Sequence, residues 1–162
     1  MAAQGTPEER LAELGLTVPA VVPPVATYVP AVRSADRIYT AGQLPMRDGA
    51  LIATGKVGGT VTPEVAAECA RQCALNAIAA IRSLVDDLSR IRIVKVVAFV
   101  ASTPDFTGQP KVANGASDFF GAVFGDAGVH ARSAVGVPVL PLDAPVEVEV
   151  IAEVLPAAEG DA

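Results

Sequence analysis

The sequence has no tryptophan and one histidine, and aromatic residues make up only 4% of it. A lone His130 with two cysteines does not supply the four nitrogen or sulfur ligands of a structural zinc site. Cys69 and Cys73 lie four apart in a helix-periodic stretch. Helix geometry keeps both on one face and opposes a disulfide between them, so they read as small core hydrophobes. Charge is also scarce, at 19% of residues, and the net charge is −6. The twelve basic residues are scattered. That opposes phosphate neutralisation, and the few aromatics offer little stacking surface, so nucleic acid is not an expected partner. The densest basic group, Arg90, Arg92 and Lys95, reads as a solvated element end. No apolar run reaches the ~18 residues of a membrane span. The first residues lack the basic segment and apolar core of a secretory signal. A cytoplasmic protein without membrane partners is expected.

Hydrophobic residues are abundant, at 51%, mostly alanine and valine. A chain of 162 residues suits one domain. At that size roughly 70% of the unfolded surface is buried. The high hydropathy hints that part of the surface is covered by another subunit.

Residues 1–24 read as an extension, 25–156 as the domain and 157–162 as a tail. "TPEERLAELG" predicts a short helix, with Thr6 as N-cap, Pro7 at the first position and Gly15 past the end. "TVPAVVPPVAT" carries three prolines and is not helical. A strand-like pattern begins at Tyr28 and includes "RIYTAGQLP". Asp48-Gly49 between apolar runs signals a hairpin. Thr62-Pro63-Glu64 opens a helix expected over 63–89, with Ala66, Cys69, Cys73, Ala77, Ile81, Leu84 and Leu88 on its apolar stripe. Glu68, Gln72, Arg82 and Asp86 fall mostly on other faces. "RIVKVVAFVAS" predicts a buried strand. A second helix follows over about 110–124, then strands at about 131–139 and 146–154. The order is β-β-α-β-α-β-β, with room for a hairpin strand. The expected class is α+β, with two helices covering one face of a mixed sheet. No further helix is available for the other face, and a second subunit's sheet is the economical cover.

"GALIATGKVGGT" is not a phosphate loop, because the glycine spacing is wrong and Val57 stands where a magnesium-binding hydroxyl belongs. No Gly-x-Ser-x-Gly elbow accompanies the one histidine. The last strand pair is more informative. Alternation puts Val146, Val148 and Val150 on one face and Glu147, Glu149, Ile151 and Glu153 on the other. Two carboxylates about 7 Å apart are costly to bury unpartnered. They are either solvated or paired, hydrated or functional at a subunit interface.

"YTAGQLP" (39–45), "VVAFV" (96–100), "DF" (105–106), "HARSAVGVPVLP" (130–141) and "VEVEVIAEV" (146–154) together resemble the RidA/YjgF/UK114 family, over about 28–154. The longer form, with "AAECARQCALNAIAAI", resembles a subgroup labelled endoribonuclease-like. The resemblance implies a chorismate-mutase-like fold, a homotrimer built around a central barrel, and sites in clefts between subunits. It implies hydrolysis of reactive enamines and imines to 2-oxo acids and ammonia, with no metal or organic cofactor. On this resemblance Arg132 is the carboxylate anchor and Glu147 holds the attacking water. Tyr28, Ala41, Gly42, Asn114 and Ala134 line the substrate pocket. Ala41 stands where many members have serine, and Ala134 where many have cysteine. Glu149 and His130 are further candidates, His130 either lining the cleft or capping a strand. The alternatives are a non-catalytic trimer that binds a small metabolite or a protein, and a ribonuclease.

Overall fold

The computed structural model describes residues 5–24 and 26–157; residues 1–4, Val25 and most of the expected tail, 158–162, lie outside the described residues. Helix α1 (Pro7–Glu13) leads into a segment without helix or strand. Strands β1 (Ala31–Ser34) and β2 (Arg37–Thr40) follow, then the hairpin of β3 (Met46–Arg47) and β4 (Ala50–Leu51). Helix α2 (Pro63–Arg82), strand β5 (Ile91–Ala101), helix α3 (Gln109–Phe124), and strands β6 (Ala131–Val137) and β7 (Val146–Val154) complete the chain. The main sheet has the order β1-β2-β7-β5-β6. β5 and β6 are parallel with α3 as their crossover, and the other pairs are antiparallel. This is the expected α+β architecture, with α2 and α3 on one face of the sheet.

Strand β7 alternates without a break: Val146, Val148, Val150, Ala152 and Val154 are buried and the residues between them are half-buried. Its register pairs Val150 with Val96, Val148 with Ala98 and Val146 with Val100. That row meets the inner side of α2 at Ala66, Cys73, Ala77 and Ile81, all fully buried. Burying a side chain such as valine contributes about 1.5–3 kcal/mol, so this face holds the sheet to the helices. Cys69 and Cys73 are both buried free thiols. Burial pushes the Cys69 thiol up to about 11, which leaves it protonated and inert.

Helix α2 begins as expected, with the Thr62 hydroxyl accepting from Val65 N at 3.2 Å. It stops at Arg82 rather than near 89. Ser83 Oγ donates to Ala80 O at 2.7 Å, and Asp87 accepts from the Ser89 amide at 2.9 Å, starting a separate turn at Leu88–Arg90. Two aspartates at a helix C-terminus oppose its dipole, and serine and aspartate offer the backbone local alternatives. Gln72 faces inward, not outward. It is buried, and its amide donates to Asn76 Oδ1 at 3.1 Å. Strand β6 ends at Val137, one residue before Pro138, which has no N–H for the ladder.

The N-terminal segment is docked. Thr6 and Glu9 form a reciprocal capping box. Leu11 is buried, Leu16 and Val18 pack on the core, and Arg10 donates to Val123 O at 3.0 Å. The other face of the sheet carries Glu147, Glu149 and Ile151 half-buried. Val32, Tyr39 and Val135 are exposed there. At one end of that face Ala101, Leu140 and Ala144 gather Leu44, Leu51, Phe99 and Val137 into a small second cluster. Among the described residues no helix is long and apolar enough to cross a membrane.

Candidate functional site

Arg132 lies on β6, an edge strand, opposite Val96. It therefore shares the helix-side face. Pro110, Asn114 and Ser117 recur at spacings of four and three on α3 and present acceptors to it. Arg132 Nη1 donates to Asn114 Oδ1 at 2.8 Å and to Ser117 Oγ at 3.1 Å, and Nη2 donates to Pro110 O at 3.2 Å. A guanidinium has five N–H groups. The two that remain, including that on Nε, have no partner among the described residues. They suit a planar carboxylate.

His130 stands behind this arrangement. Its Nδ1 lies 2.6 Å from Gly128 O and its Nε2 lies 2.9 Å from Ser117 Oγ. A carbonyl only accepts, so in the neutral ring Nδ1 carries the proton and Nε2 accepts from the Ser117 hydroxyl. Ser117 then offers a lone pair to Arg132. Phe120 meets the imidazole edge-on, with centroids 5.9 Å apart. The chain Gly128–His130–Ser117–Arg132 fixes the side-chain orientation from behind.

Glu147 is on the opposite face of the sheet, across from Phe99. Its carboxylate packs over Gly42, where a Cβ would collide with Oε1. Gly42 is held there because Gln43 bridges Val148 by two backbone bonds, Gln43 N to Val148 O at 2.8 Å and Val148 N to Gln43 O at 3.0 Å. Burial, and then the like charge of Glu149 two residues on, push the Glu147 carboxyl above its usual range. Glu149 borders a small hollow with Tyr39, Lys95 and Val97.

Tyr28 and Gly42 line a larger cavity of about 710 Å³. Ala41 donates its N–H to Pro30 O at 2.8 Å, which ties this loop to the start of β1. Ala134, opposite Ala98, shares Arg132's face and packs against the core. Two groups thus form. Arg132, Asn114, Ala134 and His130 lie on the helix side of the sheet edge. Glu147, Glu149 and Gly42 lie on the other side, and Tyr28 shares with Gly42 the wall of the larger cavity. Within one chain the structure does not bring Arg132 and Glu147 together.

Sequence reasoning missed Ser117. Its signal was the spacing of three from Asn114 in a helix that delivers "HARS" to the sheet. It also missed the wall that residues 15–24 build around the cavity, because no periodicity marks a proline-rich segment.

Three comparisons bear on this chain. The family model described as "YjgF/chorismate_mutase-like, putative endoribonuclease" matches residues 8–154. Protein TCP17 of Trypanosoma cruzi is 42% identical over 153 residues, 93% of this chain and 96% of that protein. The crystal structure of Atu1372 from Agrobacterium tumefaciens, described as of unknown function, is 44% identical. It superimposes with a TM-score of 0.85 over 92% of this chain and 93% of its own. The YjgF gene product of E. coli is 29% identical, with a TM-score of 0.62 over 83% of this chain and 92% of that one. By the match of that family model over residues 8–154, and with its mixed sheet backed by helices, the chain belongs to the YjgF/chorismate-mutase-like family.

Proposed function

We propose that this chain forms a homotrimer whose intersubunit sites hydrolyse reactive enamines and imines of small amino acids to 2-oxo acids and ammonia. The observation that carries the reading is Arg132, braced from behind by three acceptors on an edge strand and with two N–H groups open. A guanidinium so oriented binds a carboxylate in two-pronged fashion at little further entropic cost. Glu147 is half-buried with a raised pKa, as expected of a carboxylate that trades a proton with water. The two groups lie on opposite faces of one sheet, so a site that unites them draws Arg132 from one copy and Glu147 from the next.

In this mechanism Arg132 holds the substrate carboxylate and Glu147 holds a water against the imine carbon. Glu147 takes a proton from the water as its oxygen bonds to carbon, and the C=N electron pair moves to nitrogen. The protonated Glu147 returns that proton to nitrogen, then takes the hydroxyl proton of the tetrahedral adduct and passes it to nitrogen as the C–N bond breaks, so that ammonia leaves as the C=O forms.

The test is imine decay in an assay coupled to an amino-acid oxidase, measured against the uncatalysed background. Wild type accelerates decay, and Arg132→Ala and Arg132→Lys abolish or greatly reduce the acceleration, since lysine lacks the fork. Glu147→Gln keeps binding and loses about 10²–10⁴-fold in rate. If wild type and Arg132→Ala behave alike, the deaminase reading falls and a non-catalytic metabolite-binding trimer takes its place. The small apolar Ala41 and Ala134 are compatible with that second reading.

A further inference from the structure

Residues 15–24 run as a strap past α2 and the loop after β2, and close the cavity of about 710 Å³ on one side. Its volume falls in the range of roughly 300–1,000 Å³ typical of small-molecule sites. It is far more room than a methyl or ethyl side chain needs. The strap contributes Leu16, Val21, Val22 and Pro23, and the opposite wall contributes Leu44 and Leu75. The strap is pinned at its near end, where Leu16 N donates to Leu11 O at 2.8 Å and Leu16 packs on the core.

The amide side chains of the cavity and its one guanidinium are already hydrogen-bonded. Asn76 Nδ2 donates to Leu44 O and Met46 O, both at 3.0 Å. Gln72 donates to Asn76 and accepts from Arg47 Nε at 3.1 Å. Arg47 also pairs with Glu68 at 3.4 Å. This chain of bonds holds the β3–β4 hairpin to α2, and Arg47, already ion-paired with Glu68, is the only cationic side chain among the described residues lining the cavity. Asp48 at the rim adds negative charge. A second carboxylate would have to compete with Glu68 for Arg47, whereas an apolar group meets valine, leucine and proline.

Gly42 lies between this space and Glu147. It lines the cavity, and its missing Cβ is where the Glu147 carboxylate rests. We propose that the cavity is a side-chain subsite. It takes the branched or long apolar side chain of a 2-imino acid whose reacting carbon sits at Glu147, and the strap is its specificity-determining wall. This rests on the deaminase reading and names the substrate class for it: imines of large neutral amino acids, not of alanine or glutamate.

The experiment compares oxidase-generated imines from alanine, leucine and glutamate with full-length protein. The leucine-derived imine is expected to have a kcat/KM at least about 10-fold above the alanine-derived one, the discrimination an apolar pocket gives for added methylenes. The glutamate-derived imine ranks last. Val22→Trp fills the cavity from the exposed side and lowers the leucine-to-alanine ratio towards one. Val22→Lys supplies a cation and raises the glutamate-to-leucine ratio. A flat wild-type profile, or a leucine-to-alanine ratio unchanged in Val22→Trp, overturns the assignment. A second readout separates the two readings. Calorimetry with 4-methyl-2-oxopentanoate and pyruvate needs no turnover. If no imine is hydrolysed but the larger acid binds preferentially and Val22→Trp removes that preference, the subsite stands and the deaminase reading falls. If wild type binds both acids equally, or neither, the subsite falls too.

Discussion

At the scale of single residues the site depends on close packing around two charges. Gly42 is glycine because the Glu147 carboxylate occupies the space of a Cβ. Gly42→Ala is expected to push Glu147 aside and lower kcat for imine hydrolysis by about 10²-fold or more, as loss of a positioned base does. The raised pKa of Glu147 has a consequence for pH. Only the ionised carboxylate takes a proton from water, so the proposed hydrolysis should rise with pH through the Glu147 titration. That limb lies above the usual carboxylate range because of burial first and Glu149 second. Glu149→Gln removes the like charge and should move the acidic limb of the kcat/KM profile to lower pH. An unmoved limb would show that Glu149 does not act on Glu147. The sign is opposite for stability. A carboxyl raised in the folded state favours the protonated native form, so its contribution is present below the unfolded pKa and is lost as pH rises through the folded one. On the other face, Ser117→Ala removes one of three braces from Arg132. It should raise KM with little change in kcat, since the carboxylate contact is made equally in ground and transition states.

At the scale of elements, much of the layout was legible before the structure. The Thr62-Pro63-Glu64 start, the Asp48-Gly49 turn and the strict alternation of β7 each have a local cause. What escaped, the end of α2 apart, was non-local. The α2 stripe continues through Leu84 and Leu88, but the helix does not, because Ser83 and Asp87 take up local bonds. Gln72 looked like a surface residue until the β3–β4 hairpin came over it with Arg47. The placement of Arg132 and Glu147 on opposite faces depends on the register of β6 on β5, and no single strand's periodicity contains that. The closeness of α2 to α3 was also hidden. A Cβ on Gly115 would collide with the backbone of Ala67. Gly115→Ala, which on helix propensity alone would be favourable, should instead destabilise the fold by about 1–3 kcal/mol, the usual cost of overpacking. Urea denaturation of wild type and variant checks the sign.

At the scale of the whole molecule, the sheet face away from the helices poses the remaining demand. It exposes Val32, Tyr39 and Val135 beside half-buried Glu147 and Glu149. Closed trimeric symmetry would cover this face and carry the edge-strand Arg132 of one copy to the Glu147 face of its neighbour. Two measurements follow. Light scattering should give three times the 16.5 kDa protomer mass. Val135→Glu, which sets a second carboxylate in the row of Phe99 and Glu147, should lower that mass and remove activity with it. The sharper experiment mixes two impaired proteins. Arg132→Ala and Glu147→Gln chains are unfolded together, refolded and assayed. If each site takes its arginine and its glutamate from different copies, random assembly rebuilds intact pairs at about a quarter of the sites. Activity should then recover to roughly that fraction of wild type, far above the residual rate of either parent. If both residues of a site came from one chain, every rebuilt site would still lack one of them, and the mixture would stay as inactive as its parents.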